Sequence, residues 1–171
     1  MSESTYGVHG EGVDPLTHPD EVDLLDRPDP LGSDWSAAER PAGHDTTVYE
    51  VTEGSETRGV VTVHHVKNTD LRLAYPVGLR DRLLEPSDDA VAGALQLVAE
   101  RIFEADPATR RLVVAAAAED LPAMQRAEAA GFRYVVDVEI PGQVLELFVA
   151  EPAWVLEESR RIDDVPTDSG V

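Results

Sequence analysis

Two adjacent histidines, His64 and His65, are the side chains of this sequence best suited to accept a proton near neutral pH. In an extended segment they would point to opposite faces, so a single site would use only one of them. An ordinary cross-strand or hydrogen-bonded role also explains each histidine. Tyr75 is a further candidate, as a proton donor or as a core aromatic residue, and Glu85 is either a site carboxylate or part of the surface.

Composition excludes several kinds of chemistry. The chain has 171 residues, no cysteine and a formal net charge of -20. Disulfides, thiolate catalysis and cysteine-ligated metals are therefore excluded, and the histidines form no metal-binding pattern, so no metal is predicted. The negative charge disfavours nucleic acid and anionic membranes as partners. The sequence contains no apolar run of transmembrane length and no secretory signal, so we expect a cytoplasmic protein.

Three segments are predicted from local composition. Residues 1–45 are acidic and proline-rich and are expected to form a loosely ordered arm, with a short helix at Glu21–Leu25 and Trp35 as its anchor. Residues 46–155 are expected to form the folded domain, and 156–171 a C-terminal tail.

Within that domain, alternating β-branched and aromatic residues predict strands, and the longer periodicities predict helices. Ser87 is expected to cap a helix that ends near Ala105, and Asp120 to cap a shorter one that ends at Gly131. An unbroken apolar run predicts a central strand covered on both faces. The predicted strands are 47–52, 59–66, 71–75, 111–118, 132–140 and 144–150, and 80–85 is either a short strand or a loop.

This order of elements and two local motifs resemble the GNAT acetyltransferase superfamily. The first motif is Glu128-Ala129-Ala130-Gly131-Phe132 before the last hairpin, and the second is the helix-to-strand junction at residues 106–114. The resemblance covers about 100 residues and implies an α/β (α+β) fold with a mixed, mostly antiparallel sheet flanked by helices. It also implies acetyl-CoA or another acyl-CoA as cofactor, and an amine of a small molecule or a protein as acceptor.

The resemblance assigns site residues by position. The family's pyrophosphate loop corresponds to residues 88–93, which makes Ala90 and Gly93 candidates for cofactor binding, whereas Asp88 and Val91 stand where the family has a basic or amide residue and a glycine. Asp88 and Asp89 also suit the first turn of a helix.

Further positions on the central strand and on the second helix follow from the same resemblance. Backbone N–H groups around Val114 and Ala115 are expected to polarise the acyl carbonyl, and the small side chains of residues 115–118 would leave room for a pantetheine arm or for close helix packing. Ala127 occupies the position of the family's proton-donating tyrosine.

Two functions therefore stay open at the level of sequence. The chain is an acyl-CoA-dependent N-acyltransferase with an atypical cofactor site, or a non-catalytic binding or assembly module of the same fold. A homodimer is compatible with either. An unrelated α/β domain is the third alternative, and the absence of a splayed pair of parallel strands would favour it.

Overall fold

A single seven-stranded sheet, described by a computed structural model for residues 28–152 and Val155, forms the centre of the domain. The strand order is β1-β2-β3-β4-β5-β7-β6, and every neighbouring pair is antiparallel except β4 and β5, which are parallel. The strands are β1 Trp35–Pro41, β2 Thr46–Glu53, β3 Glu56–His65, β4 Arg82–Pro86, β5 Leu112–Ala117, β6 Arg133–Ile140 and β7 Gln143–Ala150. The predicted fold class is thereby confirmed.

Two α-helices within the described residues pack on one face of this sheet: α1 Ala92–Ala105 and α2 Leu121–Ala129. The helix-side core includes Leu84, Leu95 and Val114, and the opposite face carries a second cluster around Leu83 and Val113. The two clusters explain the unbroken apolar run of β5, because a central strand needs apolar residues on both of its faces.

The caps of α2 follow the sequence closely. The side chain of Asp120 accepts a hydrogen bond from the backbone N–H of Ala123 at 3.2 Å, and Pro122 occupies the first turn. Gly131 follows the helix with φ of +95°, a conformation that favours glycine. These predictions are confirmed because a cap depends only on neighbouring residues.

Two local predictions are corrected by tertiary pairing. Residues 71–75 form no strand; Val66–Asn68 and Asp70–Leu73 are short 3₁₀ helices, because β3 already pairs with β2 on one side and with β4 on the other. Ser87 does not cap α1, which begins at Ala92 after Val91. The Ser87 hydroxyl instead accepts from the N–H of Val60 at 3.0 Å.

The ordered sheet begins before the boundary that the sequence places at Thr46. Trp35–Pro41 forms strand β1, which pairs with β2 along seven residues from Trp35↔Glu53 to Pro41↔Thr47. The predicted short helix at Glu21–Leu25 and the predicted tail 156–171 lie outside the described residues. No helix in the described ranges is long and apolar enough to cross a membrane.

Candidate functional site

The two parallel strands separate soon after they meet. β4 and β5 pair only at Arg82↔Leu112 and Leu83↔Val113. Residues 84–86 then stay with β3, and residues 114–117 stay with β7. The space between these two diverging segments is called here the splayed gap. Its presence removes the reason to favour an unrelated α/β domain.

Backbone groups of β5 point into the splayed gap. The carbonyl of Arg111 accepts from the N–H of Arg82 in β4 at 3.3 Å, whereas the N–H of Ala118 donates to the carbonyl of Val144 in β7 at 3.3 Å. Residues two apart on a strand direct their backbone groups to the same side. Ala115 and Ala117 therefore present their N–H and C=O groups to the gap, where β4 no longer pairs with β5.

This alternation of backbone direction distinguishes Val114 from Ala115, the two residues of β5 that the sequence suggests for polarising the acyl carbonyl. Val114 directs its backbone to β7, with Phe148 as its partner, and its side chain is 3% exposed beneath the helices. Ala115 faces the gap and has a half-buried methyl group. Of the two predicted residues, only Ala115 is in position to donate its N–H to a molecule in the gap.

A polar pocket of about 570 Å³ lies on the sheet face opposite the helices and includes the splayed gap in its wall. Leu83 and Glu85 line it from β4, and Ala115 and Ala117 line it from β5. The remaining lining residues come from the two 3₁₀ helices with the residue between them and from the last hairpin: Asn68, Thr69, Asp70, Leu71, Ile140, Gln143 and Leu145.

His64 and Glu85 form an ion pair or hydrogen bond at the rim of this pocket. The Nε2 atom of His64 lies 2.9 Å from Oε2 of Glu85, and its Nδ1 atom lies 3.4 Å from Oγ1 of Thr46. The pairing His64↔Leu83 between β3 and β4 places the imidazole on the face that carries Glu85. Carboxylate and imidazole are thus held together beside a pocket, which is an arrangement able to accept and pass a proton.

His65 lies outside this arrangement. Its Nε2 atom is 4.0 Å from Oδ1 of Asp45, and its strand partner is Arg82. Burial lowers the pKa of His65 below 6.5, and the nearby Arg82 lowers it further, while Asp45 opposes the shift. The structure therefore brings together His64 and Glu85 but not the two histidines.

Tyr75 belongs to a separate network. Its phenolic oxygen accepts from Nη1 of Arg111 at 3.0 Å, and the Arg111 guanidinium also lies over its ring, 5.3 Å from the centroid. Arg111 in turn pairs with Asp81, which is 2% exposed and accepts from the N–H of Gly78. Tyr75 lines a second pocket against β6, so the structure does not bring it to the pocket of His64.

The loop of residues 87–91 between β4 and α1 packs tightly onto β3. Ala90 is buried directly against Gly59, where a Cβ atom would lie 2.6 Å from the Ala90 Cβ atom and closer still to its Cα atom. The ring of Trp35 packs directly on Gly93, and a Cβ atom at position 93 would lie 2.5 Å from that ring. The predicted anchor and both predicted loop residues thus have a packing role inside the protein.

Arg126 of α2 holds this loop from the other side of the splayed gap. Its Nη1 atom donates to the carbonyls of Ser87 at 3.1 Å, Asp88 at 3.5 Å and Ala90 at 3.0 Å. Because β4 leads into the loop and β5 leads into α2, the guanidinium bridges the elements that follow the two diverging strands. Sequence reasoning missed Arg126, since nothing local indicates that carbonyls converge on it.

Two other arginines are remote from this end of the gap. Arg80 and Arg82 both pair with Asp106, at 2.9 and 3.3 Å, where β4 begins and α1 has ended. Asp70 was also missed, and it gains significance only from the structure, which brings it to one pocket with Glu85 from a separate element.

A mostly antiparallel sheet with one splayed parallel pair, covered by helices after each of those two strands, defines the class: the chain has the fold of the GNAT acetyltransferases. An uncharacterized protein from Bacillus halodurans superposes with a TM-score of 0.57 at 14% identity, over 72% of this chain and 68% of that chain. The aminoglycoside acetyltransferase AAC(6')-Ib, in complex with coenzyme A and kanamycin, superposes with a TM-score of 0.52 at 16% identity, over 68% and 72%. No family model and no curated protein matches the sequence.

An acyl-CoA fits one end of this site and not the other. At the thioester end, Ala115 and Ala117 offer small side chains and backbone groups to an extended chain. At the pyrophosphate end, the loop of residues 87–91 turns carbonyls toward Arg126 and adds two exposed carboxylates, Asp88 and Asp89. Phosphates need converging N–H groups, and the N–H groups of Ala90 and Val91 in this loop are already bonded to the carbonyls of Ser87 and Arg58.

Proposed function

We propose that this chain is an N-acyltransferase that transfers an acyl group from a thioester donor of the acyl-CoA type to a primary amine. The observation that carries the proposal is the splayed gap, whose wall joins the backbone N–H of Ala115 to the His64–Glu85 pair across one pocket. The fold of acetyltransferases supports it.

The acceptor amine is assigned to the polar pocket. Glu85 and Asp70 line it from two sides, and their negative charges favour a cationic amine. An alkylammonium ion must lose a proton before it can attack a carbonyl. Glu85, at 2.9 Å from His64, takes that proton directly or passes it to the imidazole.

The donor supplies an activated acyl group, and the chain supplies its position. The N–H of Ala115 points to the place where a carbonyl in the splayed gap would develop negative charge. The amine nitrogen attacks the acyl carbon, the carbon–sulfur bond breaks, and the thiolate leaves. Ala127 is fully buried and has no proton to give, so the thiolate takes its proton from water or from the conjugate acid formed at His64–Glu85.

The direct test is release of free thiol from an acyl thioester in the presence of a panel of cationic amines. Since the chain has no cysteine, the thiol reagent meets no background from the protein. We expect Glu85→Gln to lower kcat/KM by about 100-fold, the usual scale for loss of a general base. Glu139→Gln, which removes an exposed carboxylate from β6, is the matched control and should retain activity.

A non-catalytic module of the same fold is the second candidate. The bridge from Arg126 to the carbonyls of Ser87 and Ala90 favours it, because the bridge joins the two sides of the gap on the helix face. Binding of neither thioester nor thiol, together with absence of thiol release across the amine panel, would establish this candidate in place of the enzyme.

A further inference from the structure

The loop of residues 87–91 is built to hold a cation. Three of its carbonyls converge on one nitrogen of Arg126, at 3.0 to 3.5 Å. Two of its amides are used elsewhere: the N–H of Ala90 donates to Ser87 at 3.0 Å, and the N–H of Val91 donates to Arg58 at 3.1 Å. Neither of these two amides is therefore free to donate to a pyrophosphate.

The surrounding charges act in the same direction. Asp88 and Asp89 are exposed in the loop that precedes α1, whose first turn holds no acidic residue, contrary to the sequence expectation. Their carboxylates come just before the helix N-terminus, where an anionic ligand would otherwise gain from the helix dipole. Asp89 is held in place by the hydroxyl of Ser87 at 2.6 Å. The whole chain carries a formal charge of -20, which adds a long-range repulsion for any polyphosphate.

The end of the splayed gap that opens into the polar pocket shows no such conflict with the part of a donor that would lie there. Beyond the last β4–β5 pair, Ala115 and Ala117 have small side chains, and their backbone N–H and C=O groups point into the splayed gap. An extended chain that carries amide groups can add to such a strand as a further strand would. The pantetheine arm has amide groups of this kind and carries no charge.

We infer that the donor of this chain is recognised through its pantetheine arm, and that the nucleotide and its pyrophosphate add no binding energy. The inference rests on the proposed function and deepens it, because it names the part of the donor that the site recognises. Acyl-pantetheine and comparable short thioesters are then donors as good as acyl-CoA. The nucleotide stays in solvent and, at low salt, opposes binding.

The experiment is a calorimetric titration of the full-length chain with pantetheine and with CoA, both reduced, at low and at high ionic strength. We expect the two dissociation constants to agree within about threefold at physiological salt. We also expect CoA binding to tighten as salt rises, because salt screens the repulsion between its phosphates and the acidic chain. A conventional phosphate site gives the opposite dependence.

Paired variants locate the effect in the loop. Asp88→Asn with Asp89→Asn should tighten CoA several-fold and leave pantetheine unchanged. The double variant Asp137→Asn, Glu139→Gln changes the net charge by the same amount but on β6, and it serves as the matched control. A change in CoA affinity that both double variants show is therefore caused by the overall charge and not by the loop.

The outcomes separate the two proposals. If CoA binds more than about 30-fold tighter than pantetheine, the inference is overturned and the proposed acyltransferase function is not. If Arg126→Lys then abolishes that advantage, Arg126 is the phosphate anchor. Its buried Nε atom, which has no partner among the described residues, is the group that would donate to the phosphate. Binding of neither compound overturns the proposed function and the inference with it. Equal transfer rates from acetyl-pantetheine and acetyl-CoA to one amine complete the positive case.

Discussion

Gly59→Ala is predicted to be among the most damaging single-methyl substitutions in this domain. Gly59 has φ of +116°, and a Cβ atom there would lie 2.6 Å from the Cβ atom of Ala90 and closer still to its Cα atom. Backbone strain at such a φ costs about 1–3 kcal/mol for a residue other than glycine. Displacing a packed backbone adds about 1–3 kcal/mol more.

Together the two effects lower the free energy of unfolding by about 2–6 kcal/mol. For a chain of this size each kcal/mol lowers Tm by about 2–4 °C, so we expect a fall of roughly 4–24 °C. The mutation also pushes the loop of residues 87–91 away from β3, because Ala90 is the group that must move.

Gly142→Ala provides the matched control. Gly142 has φ of +89° in the last hairpin, and nothing lies within 4 Å of the position that a Cβ atom would take there. This variant should therefore show the backbone strain alone, about 1–3 kcal/mol. Urea unfolding of the two variants and the parent gives all three free energies on one scale. An equal loss for the two variants would refute the close contact between β3 and the loop.

Three further predictions rest on single contacts. His65→Asn should flatten the pH dependence of stability. The pKa of His65 in the folded protein lies below 6.5, so the parent protein loses stability as the pH falls through 6.5 toward that lower value. Urea unfolding midpoints of the variant and the parent between about pH 7.5 and 5.5 test the difference. Asp81→Ala should cost about 3–5 kcal/mol by urea unfolding, because it leaves the guanidinium of Arg111 without its buried partner, and a loss below about 1 kcal/mol would contradict that role. Trp35→Ala should cost about 3–5 kcal/mol in the parent but less in a Gly93→Ala background, where the ring is already displaced, and additivity of the two losses would argue against the contact.

The local features of the fold are readable from the sequence. The cap at Asp120, the glycine after α2, the hairpin turn at Pro141-Gly142 and the central apolar strand depend on residues that are close in the chain. Their conformations are set by short-range hydrogen bonds and by burial on both faces of a strand, so the sequence pattern predicts them.

The site is only partly predictable. The sequence points to His64 because an imidazole suits proton transfer, yet its partner Glu85 lies 21 residues away and suits a site or the surface equally well. Their distance of 2.9 Å depends on the register of β3 with β4. A register is fixed by the packing of whole strands, which no single position reveals.

The order of residues along the chain is enough to establish its acidity, the absence of thiol chemistry, the order of most elements and the unusual carboxylates Asp88 and Asp89. Three other features exist only in the folded domain: β4 and β5 separate after two pairs, Ala115 and not Val114 faces the gap, and the loop of residues 87–91 offers carbonyls to Arg126. The two groups differ for one reason. Composition and local caps are properties of neighbouring residues, whereas the direction of a backbone group and the partner of a buried charge are set by segments that meet only when the sheet closes.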